Sequence, residues 1–189
     1  MKCDYFFIMG LPHSRTAWLA NWFTHNNSFC THEASRFCKR GIKSLRKVLH
    51  RPDIYRPISS WQEAVKSRRQ YYGSSDSVNA WWYEEIYYKF PRAKFALIER
   101  NIDEVSASCE RLYNDPCLKE LKALHAVHQL IKDESNVKAV RYESLNHASV
   151  VQNLQQWLTP KIPFDYARYE MLNNLNVTIN QQKYLNGYL

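Results

Sequence analysis

Two short stretches of this sequence hold residues able to grip an anion. The first is Gly10-Leu11-Pro12-His13-Ser14-Arg15-Thr16-Ala17-Trp18-Leu19. It joins two hydroxyls, a guanidinium and an imidazole to a break set by Gly10 and Pro12. That is what an oxyanion cradle needs: hydroxyl and backbone donors at the front, with a cation beside them. The second is Ile98-Glu99-Arg100-Asn101-Ile102-Asp103-Glu104-Val105-Ser106-Ala107-Ser108. Arg100 ends an apolar run and Ser108 follows eight residues later, two turns along a helix. A guanidinium fork and a hydroxyl so spaced can take one phosphate from two sides through charge-assisted bonds. Each stretch also has a plainer reading. The first could be an ordinary strand-to-helix turn with a Ser or Thr cap, and Arg100 could pair with Asp103 or Glu104 on a surface.

The surrounding elements put both stretches at strand ends. Tyr5 to Met9 is a continuous apolar run, the pattern of a strand buried on both faces, and Trp18, Leu19, Trp22 and Phe23 then keep helical spacing. Lys94 to Glu99 reads as a second buried strand. A helix follows from Asp103 to about Leu112, with Val105 and Leu112 on its inner face, and another from Leu118 to Ile131. Val137 to Tyr142 reads as a third strand, and Val150 to Leu158 as a last long helix. Gly73-Ser74-Ser75-Asp76-Ser77 reads as a loop and helix-cap signal, before an aromatic helix from Trp81 to Phe90. Strands alternating with helices predict an α/β fold: one domain over residues 1–189, a three-layer sandwich with a parallel sheet between helices.

The two anion-binding stretches, in this order and at matching strand ends, resemble the phosphate motifs of the sulfotransferases. Pro12, Ser14, Thr16 and Trp18 fall on that family's 5′ loop, roughly Pro-Lys/Arg-Ser-Gly-Thr-Thr-Trp/Leu; His13 takes the basic position, and Arg15 and Ala17 replace a Gly and a Thr. Arg100 and Ser108 match the 3′-phosphate motif. Val140-Arg141-Tyr142-Glu143-Ser144-Leu145 is similar to the family's Arg-Tyr-Glu-Asp-Leu stretch, with Ser144 in place of Asp and a structural role implied. Gly73 to Ser77 resembles a Gly-x-Ser-Asp-Ser loop that lines the cleft in related bacterial and phage-like sequences.

The resemblance implies a P-loop NTPase-like sulfotransferase fold and transfer of a sulfuryl group from 3′-phosphoadenosine 5′-phosphosulfate (PAPS) to a hydroxyl or amine, with no metal. Pro12, Ser14, Arg15, Thr16 and Ala17 would hold the 5′-phosphosulfate, and Arg100 and Ser108 the 3′-phosphate. His13 would meet the bridging oxygen as charge builds there. Phe29-Cys30-Thr31-His32-Glu33 lies where some members of the family carry a catalytic Glu, so Glu33 is the candidate base and His32 its competitor. A His at a helix N-terminus is expected to have a lowered pKa, because the dipole opposes the imidazolium. The family's C-terminal Arg-Lys-Gly clasp is missing from this sequence. Two other readings stand beside this one. A P-loop nucleotide or small-molecule kinase would want GxxxxGK[ST], which the first stretch lacks. A non-catalytic protein binding the desulfated product (PAP) would keep the pocket without the chemistry.

Composition bounds the rest. The 189 residues suit one core; 6 Trp, 13 Tyr and 8 Phe argue against disorder, and a net charge of +8 favours an anionic partner. Five cysteines without a CxxC pair read as reduced structural thiols. His13, Ser14 and Arg15 break the early apolar run too soon for a signal peptide, and no run approaches a membrane span, so the expected location is cytoplasmic, with no membrane partner. The basic stretch from Arg36 to Arg69 lacks a recognisable nucleic-acid module and reads as a solvated or substrate-facing surface. His125 and His128, one helical turn apart, read as a partly exposed helix face rather than a metal site. The Trp81-Trp82-Tyr83 and Tyr87-Tyr88 clusters read as core and helix packing.

Overall fold

The structure is a computed structural model and describes residues 4–32 and 69–174. Glu33 and the basic stretch up to Arg68 lie outside the described residues, as do Cys3 and Cys38. Among the described residues there are five strands: β1 (Asp4–Gly10), β2 (Ser28–His32), β3 (Tyr71–Ser75), β4 (Lys94–Glu99) and β5 (Val137–Arg141). They form one parallel sheet in the order β2-β3-β1-β4-β5. The three strands expected from their apolar runs are thus adjacent, with β4 between β1 and β5. Six α-helices accompany them: α1 (Thr16–Phe23), α2 (Tyr83–Lys89), α3 (Ile102–Tyr113), α4 (Leu118–Ile131), α5 (Ala148–Leu158) and α6 (Tyr166–Asn174).

Alternation along each strand splits the core in two, because successive side chains point to opposite faces. Phe7, Met9, Phe95, Leu97 and Val137 meet Ile86 of α2, Val105 and Cys109 of α3, and Leu121 and Leu124 of α4. On the other face Phe6, Ile8, Ala96, Ile98 and Val140 meet Leu19 and Trp22 of α1, Leu154 of α5 and Leu172 of α6. The helix after β1 therefore packs on one face, while those after its neighbours β3 and β4 pack on the other. Such a reversal opens a crevice at the carboxyl ends of the strands. The loop after β1 lies at its centre.

Several local expectations change. Gly73 to Ser75 belongs to buried strand β3 rather than to a loop, because its backbone pairs with both β1 and β2. The cap signal in the same stretch holds: the Asp76 carboxylate accepts from the Val78 amide at 3.1 Å, starting a 3-10 turn over Ser77–Trp82. Phe29 to His32 is strand β2, for which no strand was expected. Leu112 is 62 % exposed although it shares helical phase with buried Val105, since the last turn of α3 runs past what the sheet and α4 cover. His128 is buried at 3 % rather than partly exposed, because Leu121, Leu124, His128 and Ile131 form the inward stripe of α4. Trp81 and Trp82 pack on the core as expected, whereas Tyr88 is 91 % exposed.

Candidate functional site

The loop after β1 holds two non-glycine residues in the left-handed region, His13 (φ 62°) and Arg15 (φ 58°). Side chains resist that region, and left-handed residues alternating with ordinary ones turn successive amides toward one point, as in anion-binding nests. Arg15 is also the N-cap of α1, and no side chain bonds the free amides of that helix. The plainer Ser/Thr cap is not what forms here. Ser14 is fully buried, and among the described residues neither its Oγ nor the buried Nη1 of Arg15 has a hydrogen-bond partner. Buried polar atoms without partners are costly, and two beside an uncapped helix start leave room for an external acceptor. Gly10 lets the chain approach: a Cβ there would lie 3.2 Å from Ile98 Cβ and 3.3 Å from Ser14 Cβ.

Thr16 knits this loop to the strand ends on one side. Its carbonyl accepts from Ser75 Oγ at 2.7 Å, and its hydroxyl lies 3.3 Å from His32 Nε2. Burial lowers the His32 pKa to about 4, so the ring is neutral near pH 7. A ring so weakly basic is poorly matched to proton abstraction and well suited to orienting Thr16. Ala17 follows in the first turn of α1, and Pro12 stands half-buried ahead of His13.

Arg100 knits it on the other side. It follows β4, the neighbour of β1, and its Nη1 donates to the His13 carbonyl. Its Nε lies 3.5 Å from Glu104 Oε2, so the expected pairing with a helix carboxylate is present alongside the bond to the loop. Asn101 caps α3, accepting from the Asp103 amide at 2.8 Å. Ser108 is buried at 8 %, on the same stripe of α3 as Val105 and Cys109. The His13 ring turns toward the end of α3, its centroid 5.6 Å from that of Tyr113. Burial first, then the charges of Arg100 and Arg111, hold its pKa below the usual value. The direction is as the sequence led us to expect, with burial and neighbouring cations as its causes.

Sequence reasoning gave Tyr142 a structural part and did not place it at the loop. Its ring lies 4.1 Å from the Arg100 guanidinium carbon and 5.8 Å from that of Arg15. The strand order is the reason: Glu99 pairs with Arg141, and the Tyr142 amide donates to the Glu99 carbonyl at 2.8 Å. The chain thus has two cations, two left-handed loop residues and a helix start gathered where adjacent strands end.

The fold has known counterparts. A sulfotransferase from Alicyclobacillus acidocaldarius superposes with a TM-score of 0.61 at 13% identity, over 100% of this chain and 92% of that one. The chain has a sulfotransferase-like fold. A sulfotransferase domain from the curacin biosynthetic pathway agrees, with a TM-score of 0.55 at 14% identity over 87% of this chain and 76% of that one. A gluconokinase from Sinorhizobium meliloti 1021 aligns more loosely, with a TM-score of 0.46 at 12% identity over 74% of this chain and 82% of that one. No protein-family model matches the sequence, and no curated protein matches it. No group of three or more His, Cys, Asp or Glu side chains suited to a metal occurs among the described residues, and no helix among them is long and apolar enough to cross a membrane.

Proposed function

We propose that this chain binds a phosphorylated nucleotide of the PAPS type and transfers its sulfuryl group to a hydroxyl or amine. The observation that carries the reading is the pair of buried, unpartnered polar atoms, Ser14 Oγ and Arg15 Nη1, at the uncapped start of α1. The sulfotransferase-like fold supports it. In the proposed site Pro12 shapes the loop; Ser14, Arg15, Thr16 and the amides to Ala17 hold the 5′-phosphosulfate. Arg100 and Ser108 hold the 3′-phosphate. The acceptor oxygen or nitrogen attacks sulfur in line as the bond to the bridging oxygen breaks, and PAP leaves with the electron pair. His13 donates a hydrogen bond to that oxygen as it gains charge. Glu33, next to His32 in sequence, takes the acceptor's proton in this scheme.

A second reading has one observation in its favour. His13 is held neutral where sulfotransferases carry a permanent cation, which fits a protein that binds PAP without turnover. Calorimetry and a transfer assay test both. PAP is expected to bind, and Arg100→Ala to weaken PAP by about 1.5–3 kcal/mol while sparing adenosine 5′-phosphosulfate, which has no 3′-phosphate. Equal losses for both ligands would remove Arg100 from the 3′ end. Sulfuryl transfer from radiolabelled PAPS by the parent supports the enzyme; transfer only by His13→Lys supports the binding protein.

A further inference from the structure

We propose that Tyr142 is a positioning residue for this site, its ring holding Arg100 and Arg15 so that the cations of the two phosphate motifs act as one unit. The inference rests on the nucleotide reading above and adds to it a coupling between the two ends of the ligand.

The geometry comes from three adjacent strand ends. β5 delivers Tyr142, β4 delivers Arg100 and β1 leads into the loop of His13 and Arg15. Arg100 bonds the His13 carbonyl and stacks on Tyr142 at 4.1 Å. Arg15 stands 5.8 Å from the same ring and 5.6 Å from the Trp18 ring. Two guanidiniums brought to one anion site repel each other while the site is empty. A ring presents its negative π face to a cation, which offsets part of that repulsion without neutralising either charge. A carboxylate in the same place would neutralise them and compete with the ligand. Arg100 does have a carboxylate nearby, but Glu104 is 57 % exposed at 3.5 Å, so solvent screens it. The backbone that carries the ring is held at both ends: the Tyr142 amide bonds Glu99, and its carbonyl accepts from the Leu145 amide at 3.2 Å.

Rings differ from hydroxyls in what they tolerate, and that gives the test. In the unliganded protein, the Nε–H resonance of Arg100, assigned by its loss in Arg100→Lys, is expected upfield through the ring current of Tyr142. Tyr142→Phe keeps that shift, and Tyr142→Leu moves the resonance to the position of an unstacked arginine. In calorimetry with PAP, Tyr142→Leu weakens binding about tenfold, Tyr142→Phe rescues it to within about twofold, and thermal unfolding confirms that both variants fold. An Arg100 resonance that Tyr142→Leu leaves in place overturns the stacking, whatever PAP does. Equal losses of affinity in the Phe and Leu variants overturn the inference too, because they assign the role to the hydroxyl. A parent that binds no PAP removes the nucleotide reading, and with it the role given to the ring, even where the resonance shift is present.

Discussion

Arg15 sits in a conformation that favours glycine, and the family pattern has glycine at that position. Its φ of 58° costs about 1–2 kcal/mol for a residue with a side chain. The side chain recovers part of this by lying near the Trp18 and Tyr142 rings. The residue therefore reads as strain retained for a charge at the loop, while His13 two residues earlier stands where the pattern has a permanent one. Arg15→Gly is expected to raise stability to urea by about 1 kcal/mol and to weaken PAP binding severalfold. Loss of stability together with unchanged PAP affinity would make Arg15 a structural residue with no part in the ligand. The sequence made Arg15 visible as a departure from a pattern, but its effect on the backbone is conformational and only coordinates display it.

At the scale of elements, strands with long apolar runs were legible and those with short polar runs were not. β1 and β4 stood out because large apolar residues fill both faces, and β5 because Val137 and Val140 place one valine on each. β2 and β3 did not, because Ser-Phe-Cys-Thr-His and Tyr-Tyr-Gly-Ser-Ser imitate loop composition. What makes β3 a strand is satisfaction of its buried polar groups from outside. Ser75 Oγ bonds Thr16 O, and Asn79 Nδ2 bonds the Ser74 carbonyl at 3.0 Å and the Ile8 carbonyl at 3.2 Å. The Thr16 and Ile8 partners lie far along the chain and leave no local signal. Gly73 has its own reason: a Cβ there would come within 2.2 Å of Phe6 ring carbons, and Phe6 is fully buried against Phe23 with ring centroids 5.2 Å apart. Gly73→Ala is expected to cost about 3 kcal/mol in urea unfolding through overpacking. The cost should fall markedly in a Phe6→Leu background, since a slimmer side chain makes room. Equal costs in both backgrounds would place the strain elsewhere.

Over the whole molecule, the two candidate phosphate-binding stretches could be picked out as motifs because their residues are contiguous or two helical turns apart. Tyr142 was not, because its place at the site depends on β5 lying beside β4. The burial of His128 was missed in the same way, and with His32 it sets how the fold responds to acid. Burial lowers His32 to about 4 and, with the charge of His125, lowers His128 to about 3, while unfolded histidine titrates near 6.5. Above pH 6.5 both rings are neutral folded or unfolded, and the full stability is present. Below it the unfolded chain takes up protons that the folded chain refuses, so stability falls with pH until the folded values are reached. Each ring contributes a slope of about 1.4 kcal/mol per pH unit in that window, and His13, also lowered, adds to its upper part. Urea unfolding between pH 7.5 and 5 should therefore be flat at first and then fall by about 3 kcal/mol per unit, a large share of an ordinary domain's stability. His128→Gln should remove roughly half of the slope. A slope that survives this change would mean that His128 is protonated in the folded chain and has a partner to hold its charge.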